Sequence, residues 1–428
     1  VSALAGAVAL AFVYGAGVEL ARSWARRPEV AGLGAAAALG VSHTFWLLAV
    51  RPDVYTLQMA LVAAATWATL RWRRGGQPGL LVGATVACAA ALTNHVQVLG
   101  SGPGLAALSV AVPRAWLRRL GATLVVALVV AGGLLALVAA RGVPLGELAG
   151  AVGGSRPQVP ALRDVLLVPA YLAYQFPLSW PLALLGISWL WGRDRGALLG
   201  LALLYLGNVL LVLLRLRVRD QFLFFLPSYL PVALLVGAGC AAACQGWGSW
   251  AVLRRTRQPV LAAVLAALVL APLALYPLTA VVGGLAASRL APARQLPGRD
   301  PVTYYLFPGK PGYGGARAYG EGAMAAFEPQ AAVVADWLPY QTLRYLQAVE
   351  GQRQDVELAQ INAGNGAQLR YLLEQAGRRP LYLADNSPEP YYEMEAIQRC
   401  FSVTRQGPVF RLHPRAPTPV ATDGQECG

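Results

Sequence analysis

Arg215, Arg217 and Arg219 alternate along one short polar segment that ends in Asp220, immediately ahead of Phe222-Leu223-Phe224-Phe225. Guanidinium groups grip phosphate through paired N–H donors, so a cluster of this kind beside an apolar run suits the phosphate of a lipid. Simple headgroup contact is the plainer alternative. A carboxylate that could orient a ligand stands at Asp53, between Arg51-Pro52 and Tyr55. The same Asp53 could also be a surface partner for Arg51 that caps the next helix. His43, in Ser42-His43-Thr44-Phe45-Trp46, lies inside an apolar stretch, where a polar group is costly and is a functional candidate by default. An interhelical hydrogen bond would explain it equally. Asn94-His95 precede a Gly-Ser-Gly-Pro-Gly break at 100–104, the kind of non-helical backbone that membranes tolerate where it lines a protein cavity.

The elements around these residues read as membrane helices. The 428 residues are 56% hydrophobic and 13% charged, outside the range of soluble globular chains. Covering a hydrocarbon core of about 30 Å takes roughly 20 apolar residues of helix. Stretches of that order occur at 1–20, 31–50, 56–70, 79–93, 96–112, 120–140, 165–191, 197–214, 222–244 and 259–285. The pair 79–93 and 96–112 reads as one broken helix or a re-entrant pair.

Loops between the stretches alternate between Arg-rich and Arg-poor, and basic residues in short loops stay cytoplasmic. Arg22, Arg26 and Arg27, then Arg71, Arg73 and Arg74, then Arg114, Arg118 and Arg119, then Arg193 and Arg195, then Arg254, Arg255 and Arg257 mark that side. The segments holding Asp53, His95 and 141–164 fall on the other side, with everything after 285. The 215–220 arginines break the pattern, and a phosphate ligand accounts for them better than topology does. A plasma (inner) membrane crossed several times, with an extracytoplasmic carboxy-terminal domain, is the expected location.

The net charge of +14 comes almost wholly from arginine. Scattered among membrane-flanking loops, these arginines do not form a nucleic-acid face. Cys88, Cys240 and Cys244 read as packing residues, and no metal-ligand spacing is present. Cys400 and Cys427 could pair in an oxidising compartment. The residues assign no cofactor and leave a divalent metal as an open option. The chain starts within apolar sequence at Val1, without an initiator Met or a cleavable leader pattern, and reads as lacking an upstream piece.

Composition shifts near 285 towards Pro, Gly, Tyr and charge. The expected architecture is mainly α: a polytopic membrane domain over 1–285, a linker over 286–330, a small α/β domain over 331–414, and a disordered tail over 415–428. Within the small domain, strands at 331–336, 355–358 and 380–385 alternate with helices at 338–351 and 366–377, the pattern of a parallel sheet. A terminal hairpin follows over 401–412. Asp336 and Asp385 would end two of the strands, as ligand-facing groups at the sheet's carboxyl edge or as plain helix caps.

Four segments in order, SHTFWLLAVRPDVYTL from Ser42, ALTNHVQVLGSGP from Ala91, DQFLFFLPSYL from Asp220 and YQTLRYLQAVEGQRQDV from Tyr340, together resemble bacterial multi-spanning proteins related to the transmembrane protein O-mannosyltransferases. That family has the GT-C glycosyltransferase architecture and typically carries Glu at the position of Asp53. The resemblance implies a polytopic GT-C-like fold in which Val1–Tyr14 matches the family's second helix. It also implies transfer of a mannose-like sugar from a polyprenyl-phosphate donor to a protein or glycan acceptor on the outer face. The family's catalytic acid usually lies in the first outer loop, ahead of the part represented here. On the matching positions, the resemblance makes Asp53 an auxiliary acid or orienting group and His43 and His95 polar groups of the cavity. Arg51, Tyr55, Asn94 and Asp220 would contact substrate, and Arg217 and Arg219 would clamp phosphate. A non-catalytic polytopic protein that binds or transports a lipid-linked or glycan ligand is the alternative. It predicts pseudo-symmetric halves, which the sequence does not show.

Overall fold

A computed structural model describes residues 1–110, 159–215, 221–246, 254–286, 296 and 301–415. Two compact units emerge: Val1–Leu278 with Phe307–Gly309, and Thr279–Leu306 with Lys310–Gly428.

In the first unit, α1 (Ser2–Ala21), α2 (Pro28–Gly40), α3 (His43–Ala49), α4 (Tyr55–Gly75) and α5 (Pro78–Asn94) are followed by a 3-10 turn at Val96–Ser101 and α6 (Gly102–Val110). Next come α7 (Leu162–Gln175), α8 (Trp180–Arg193), α9 (Arg195–Arg215), a 3-10 turn at Gln221–Phe225, α10 (Leu226–Gly246), α11 (Arg254–Leu270) and α12 (Pro272–Ala286), whose last turns extend into the second unit. Among the described residues, Ser2–Ala21, Arg195–Arg215, Gln221–Gln245 and Pro259–Gly283 are long and apolar enough to cross a membrane. The pair α2 and α3 forms a further candidate bent by 70°, and α5 is a shorter apolar helix.

Small residues set the helix spacing. A methyl group on Gly239 would overlap the Leu182 carbonyl oxygen, one on Gly237 that of Ala31, and one on Gly186 that of Leu235. Such close backbone approach is how membrane helices gain dispersion energy where lipid supplies no hydrophobic drive. Thus α10 lies between α2 and α8, while α1 packs along α4 and α2.

Three breaks interrupt the apolar stretches. The α2–α3 bend falls at Val41-Ser42, where the Ser42 hydroxyl donates back to the Leu39 carbonyl at 2.7 Å. The stretch 79–112 breaks at His95, the α5 C-cap. The expected single helix over 165–191 is instead two, separated at Phe176–Ser179. Pro177 lacks the N–H that a continuous helix would need there. The expected span at 120–140 lies outside the described residues.

The second unit holds α13 (Pro301–Leu306), α14 (Gly315–Ala326), β1 (Ala332–Ala335), α15 (Trp337–Ala348), β2 (Glu357–Gln360), α16 (Ala367–Gln375), β3 (Leu381–Leu383), α17 (Met394–Cys400), β4 (Phe401–Gln406) and β5 (Val409–Pro414). The sheet order is β2-β1-β3-β5-β4. β1 pairs in parallel with β2 and β3, and the β4–β5 hairpin adds antiparallel to β3. Residues 315–326, expected within a linker, form a helix that buries Tyr319, Ala323 and Met324 in the core on one sheet face. Their turn-rich flanks masked that apolar spacing. The short helix α17 is also absent from the sequence expectation.

At the carboxyl edge, Asp385 accepts the Ser387 N–H at 2.7 Å, a local turn, and Asp336 occupies the N-cap position of α15 without a side-chain cap bond. Cys400 is disulfide-bonded, and Cys88, Cys240 and Cys244 are free thiols. Cys427 lies outside the described residues.

Arg353 pins this unit. Its guanidinium donates to the carbonyls of Met324 and Phe327 at 2.7 Å each and of Glu328 at 2.9 Å, and to both oxygens of Asp355. Replacing it with Met takes the donor from the Met324, Phe327 and Glu328 carbonyls, which costs about 2 kcal/mol, while Asp355 keeps its bond from the Gln330 N–H. Hydrogen exchange on the full chain is expected to show faster exchange in β1 and α14. The Arg353 guanidinium, helped by the Gln330 N–H, holds the Asp355 carboxyl well below its ordinary value. The stabilisation is therefore fully present above the ordinary carboxylate range and is lost as pH falls through the lowered folded value.

Candidate functional site

The segment that turns from α3 into α4 carries the candidate carboxylate. The Ser2 hydroxyl clips this loop, donating to the Asp53 carbonyl at 3.1 Å and accepting the Asp53 N–H at 3.0 Å. One Asp53 carboxylate oxygen faces Arg51 at 3.3 Å, and the other accepts the Val54 N–H at 2.8 Å. The geometry therefore includes the Arg51 pair that was the plainer alternative for Asp53.

The α5 break closes on the same loop. Asn94 donates to the Val54 carbonyl and to the Gln58 side chain, each at 3.1 Å, while Gln58 donates to the His95 carbonyl at 3.3 Å. His95 Nδ1 accepts the Gln97 N–H at 3.2 Å, so a neutral ring carries its proton on Nε2. Burial at this break pushes the His95 imidazole down, and the Asp53 charge opposes that. The ring lies 5.3 Å from Tyr55 and 6.0 Å from Phe224, with Tyr55 edge-on to Phe224 at 5.4 Å. Gln97 also donates to the Phe224 carbonyl, tying the 221–225 turn to this break. Arg51, Asp53, Tyr55, Asn94 and His95 are thus brought together at the ends of α3, α4 and α5.

His43 belongs to an adjoining aromatic cluster. Its ring lies 5.1 Å from Tyr174, 5.5 Å from Tyr276 and 6.1 Å from Phe222. The bend that places it is held from two other helices: the His43 N–H donates to the Tyr276 hydroxyl at 2.9 Å, and the Thr44 N–H donates to Gln175 at 2.8 Å. Gln175 in turn donates to the Thr44 hydroxyl at 2.8 Å. Phe222 and Phe224, two apart on one 3-10 turn, connect the two clusters.

Arg217, Arg219 and Asp220 lie outside the described residues. Among the described residues, no three His, Cys, Asp or Glu side chains converge as a metal site would require. Sequence reasoning missed Ser2, Gln58, Gln97, Gln175 and Tyr276. Gln175 and Gln97 had a legible signal, because a glutamine within or beside a membrane span needs a partner. Ser2 and Tyr276 had none, since their partners are backbone groups far along the chain.

Residues 1–116 match the family model described as the protein O-mannosyl-transferase TMEM260 N-terminal domain. No curated protein matches the chain at a significant level. Among solved structures, the chain is similar to ArnT from Cupriavidus metallidurans bound to undecaprenyl phosphate, with a TM-score of 0.53 at 15% identity. The superposition covers 96% of this chain and 83% of ArnT. At that identity the likeness establishes the fold. The chain accordingly has an ArnT-like membrane fold with a small carboxy-terminal sheet domain, and its first 116 residues are similar to the O-mannosyl-transferase TMEM260 N-terminal domain.

Proposed function

We propose that this chain is a membrane glycosyltransferase that moves a mannose-like sugar from a polyprenyl-phosphate donor to a protein or glycan acceptor. The observation that carries the reading is the gathering of Arg51, Asp53, Tyr55, Asn94 and His95 at one end of a GT-C-type helical unit. The similarity to a structure bound to undecaprenyl phosphate supports a lipid-phosphate donor.

In this reaction the acceptor hydroxyl oxygen attacks the anomeric carbon, the bond from that carbon to the phosphate oxygen breaks, and the polyprenyl phosphate departs with the bonding pair. The hydroxyl proton passes to a base. Negative charge grows on the departing phosphate, so fixed cations aimed there lower the barrier. Arg51 supplies one such cation, and Arg217 and Arg219 add two more as a clamp ahead of the 221–225 turn, beside Asp220. Asp53, tethered by Ser2 through its backbone, orients the acceptor or takes its proton as an auxiliary acid–base group. Neutral His95 donates through Nε2, and its tilted ring contacts with Tyr55 and Phe224 give an apolar wall for a sugar face or the first isoprene unit. Asn94 fixes that wall. His43 marks a second polar position at the bend. The arginine distribution supports a site on the extracytoplasmic side of an inner membrane.

The test uses membranes containing the full chain, radiolabelled polyprenyl-phosphate mannose and a mixed protein and glycan acceptor fraction. Donor-dependent incorporation of label is the expected result. Saturable donor binding with no incorporation into any acceptor would contradict the transferase reading.

A further inference from the structure

The opposite ends of these helices carry charge that the transfer reaction does not use. Glu19, buried at the end of α1, pairs with Arg22 at 2.9 Å and lies 4.0 Å from Arg74 at the end of α4. Arg73 bonds Asp194 at 2.6 Å, and Asp194 also accepts the Ala197 N–H at 2.9 Å, capping α9. Among the described residues, this end with its flanking loops holds Arg22, Arg26, Arg27, Arg71, Arg73, Arg74, Arg193 and Arg195 against Glu19, Glu29 and Asp194. Arg26, Arg27, Arg193 and Arg195 have no carboxylate partner among the described residues. The surplus cations are set on aromatic rings. The Arg193 guanidinium lies 3.8 Å from the centre of Trp189 and that of Arg195 5.3 Å from Trp191, while Trp189 lies 6.1 Å from Trp24.

From Trp191 an exposed apolar stripe, Leu184, Ile187 and Trp191, runs back along α8 at helical spacing. Arg195 Nε–H donates to the Trp191 carbonyl at 3.1 Å, so its terminal N–H groups, with the N–H edge of Arg193 over Trp189, remain for a phosphate, and tryptophan favours the depth of lipid headgroups. Cations at the end of a lipid-facing stripe match an amphiphile with an anionic head and an acyl tail.

We propose that this end of the bundle holds an anionic phospholipid, its phosphate gripped by Arg193 and Arg195 and its acyl chain laid along Leu184, Ile187 and Trp191. The surplus positive charge selects an anionic head over a zwitterionic one. Each arginine near an anionic membrane surface strengthens attraction severalfold, so loss of both weakens binding about tenfold.

The experiment is a lipid titration of the purified full chain in neutral detergent, read by native mass spectrometry and by melting temperature. Phosphatidylglycerol is expected to form a saturable adduct and raise the melting temperature, and phosphatidylcholine to do neither. Arg193→Gln with Arg195→Gln should weaken the phosphatidylglycerol adduct about tenfold. Trp191→Ala, which leaves every ion pair intact, should weaken it less. Equal binding of the two lipids overturns the proposal, as does unchanged phosphatidylglycerol affinity in both variants. Stabilisation by inorganic phosphate as strong as that by the lipid would also overturn it, by showing a simple anion site.

Discussion

Gly239→Val is expected to disrupt the helical unit more than any substitution among the outer polar residues. Gly239 stands where the backbone of α10 presses against that of α8, and even a single methyl group there meets the Leu182 carbonyl oxygen. Helix backbones cannot yield locally as a flexible side chain would, so α8 and α10 must separate along their shared length. Overpacking of this kind costs about 3 kcal/mol. Gly186, which abuts the Leu235 carbonyl from the α8 side of the same seam, should behave alike. Gly192 has open space around it and should accept Ala with little change. Thermal unfolding of the three variants in detergent checks this ordering, and equal melting temperatures would show that the seam is not tightly packed.

Asp53→Asn carries the second large effect, on transfer instead of stability. Asparagine is nearly isosteric, its side-chain oxygen can still accept the Val54 N–H, and the Ser2 clip uses only the backbone of residue 53. The loop should therefore keep its shape while the charge proposed to orient the acceptor, or to receive its proton, is lost. General acid–base and orienting carboxylates contribute about 10²-fold or more, so the transfer rate should fall by about that factor with the melting temperature unchanged. Asp53→Glu, the residue typical of the resembling family at this position, should retain most of the rate. A variant that loses neither rate nor donor affinity would reduce Asp53 to the surface partner of Arg51.

Legibility in the sequence followed the range of the interactions. Hydrophobic length and arginine alternation are local, so the helical character of most stretches and the strand-helix-strand pattern from Ala331 onward could be read directly. The break at Phe176–Ser179 was overlooked because most residues on both sides are apolar; Pro177 and Pro181, the latter in the first turn of α8, are what signal it. Helix α14 was hidden by the Pro and Gly residues ahead of it, although Tyr319, Ala323 and Phe327 recur at helical spacing. For the site, types and spacing pointed to Asp53, Asn94 and His95, but not to their meeting, which depends on how α4 and α5 pack. The residues that hold the site, Ser2, Gln175 and Tyr276, act on backbone groups 51, 131 and 233 positions away. No periodicity encodes such a pairing.

Undecaprenyl phosphate affinity, measured on the full chain in nanodiscs, tests the central claim most directly. Three proteins are compared: wild type, Arg51→Gln, and the Arg193→Gln, Arg195→Gln double variant at the opposite helix ends. With the donor phosphate held beside Asp53 and His95, Arg51→Gln should weaken binding about tenfold and the double variant should leave it within about twofold. Unchanged affinity in Arg51→Gln, or a loss confined to the double variant, would contradict the placement of the donor site.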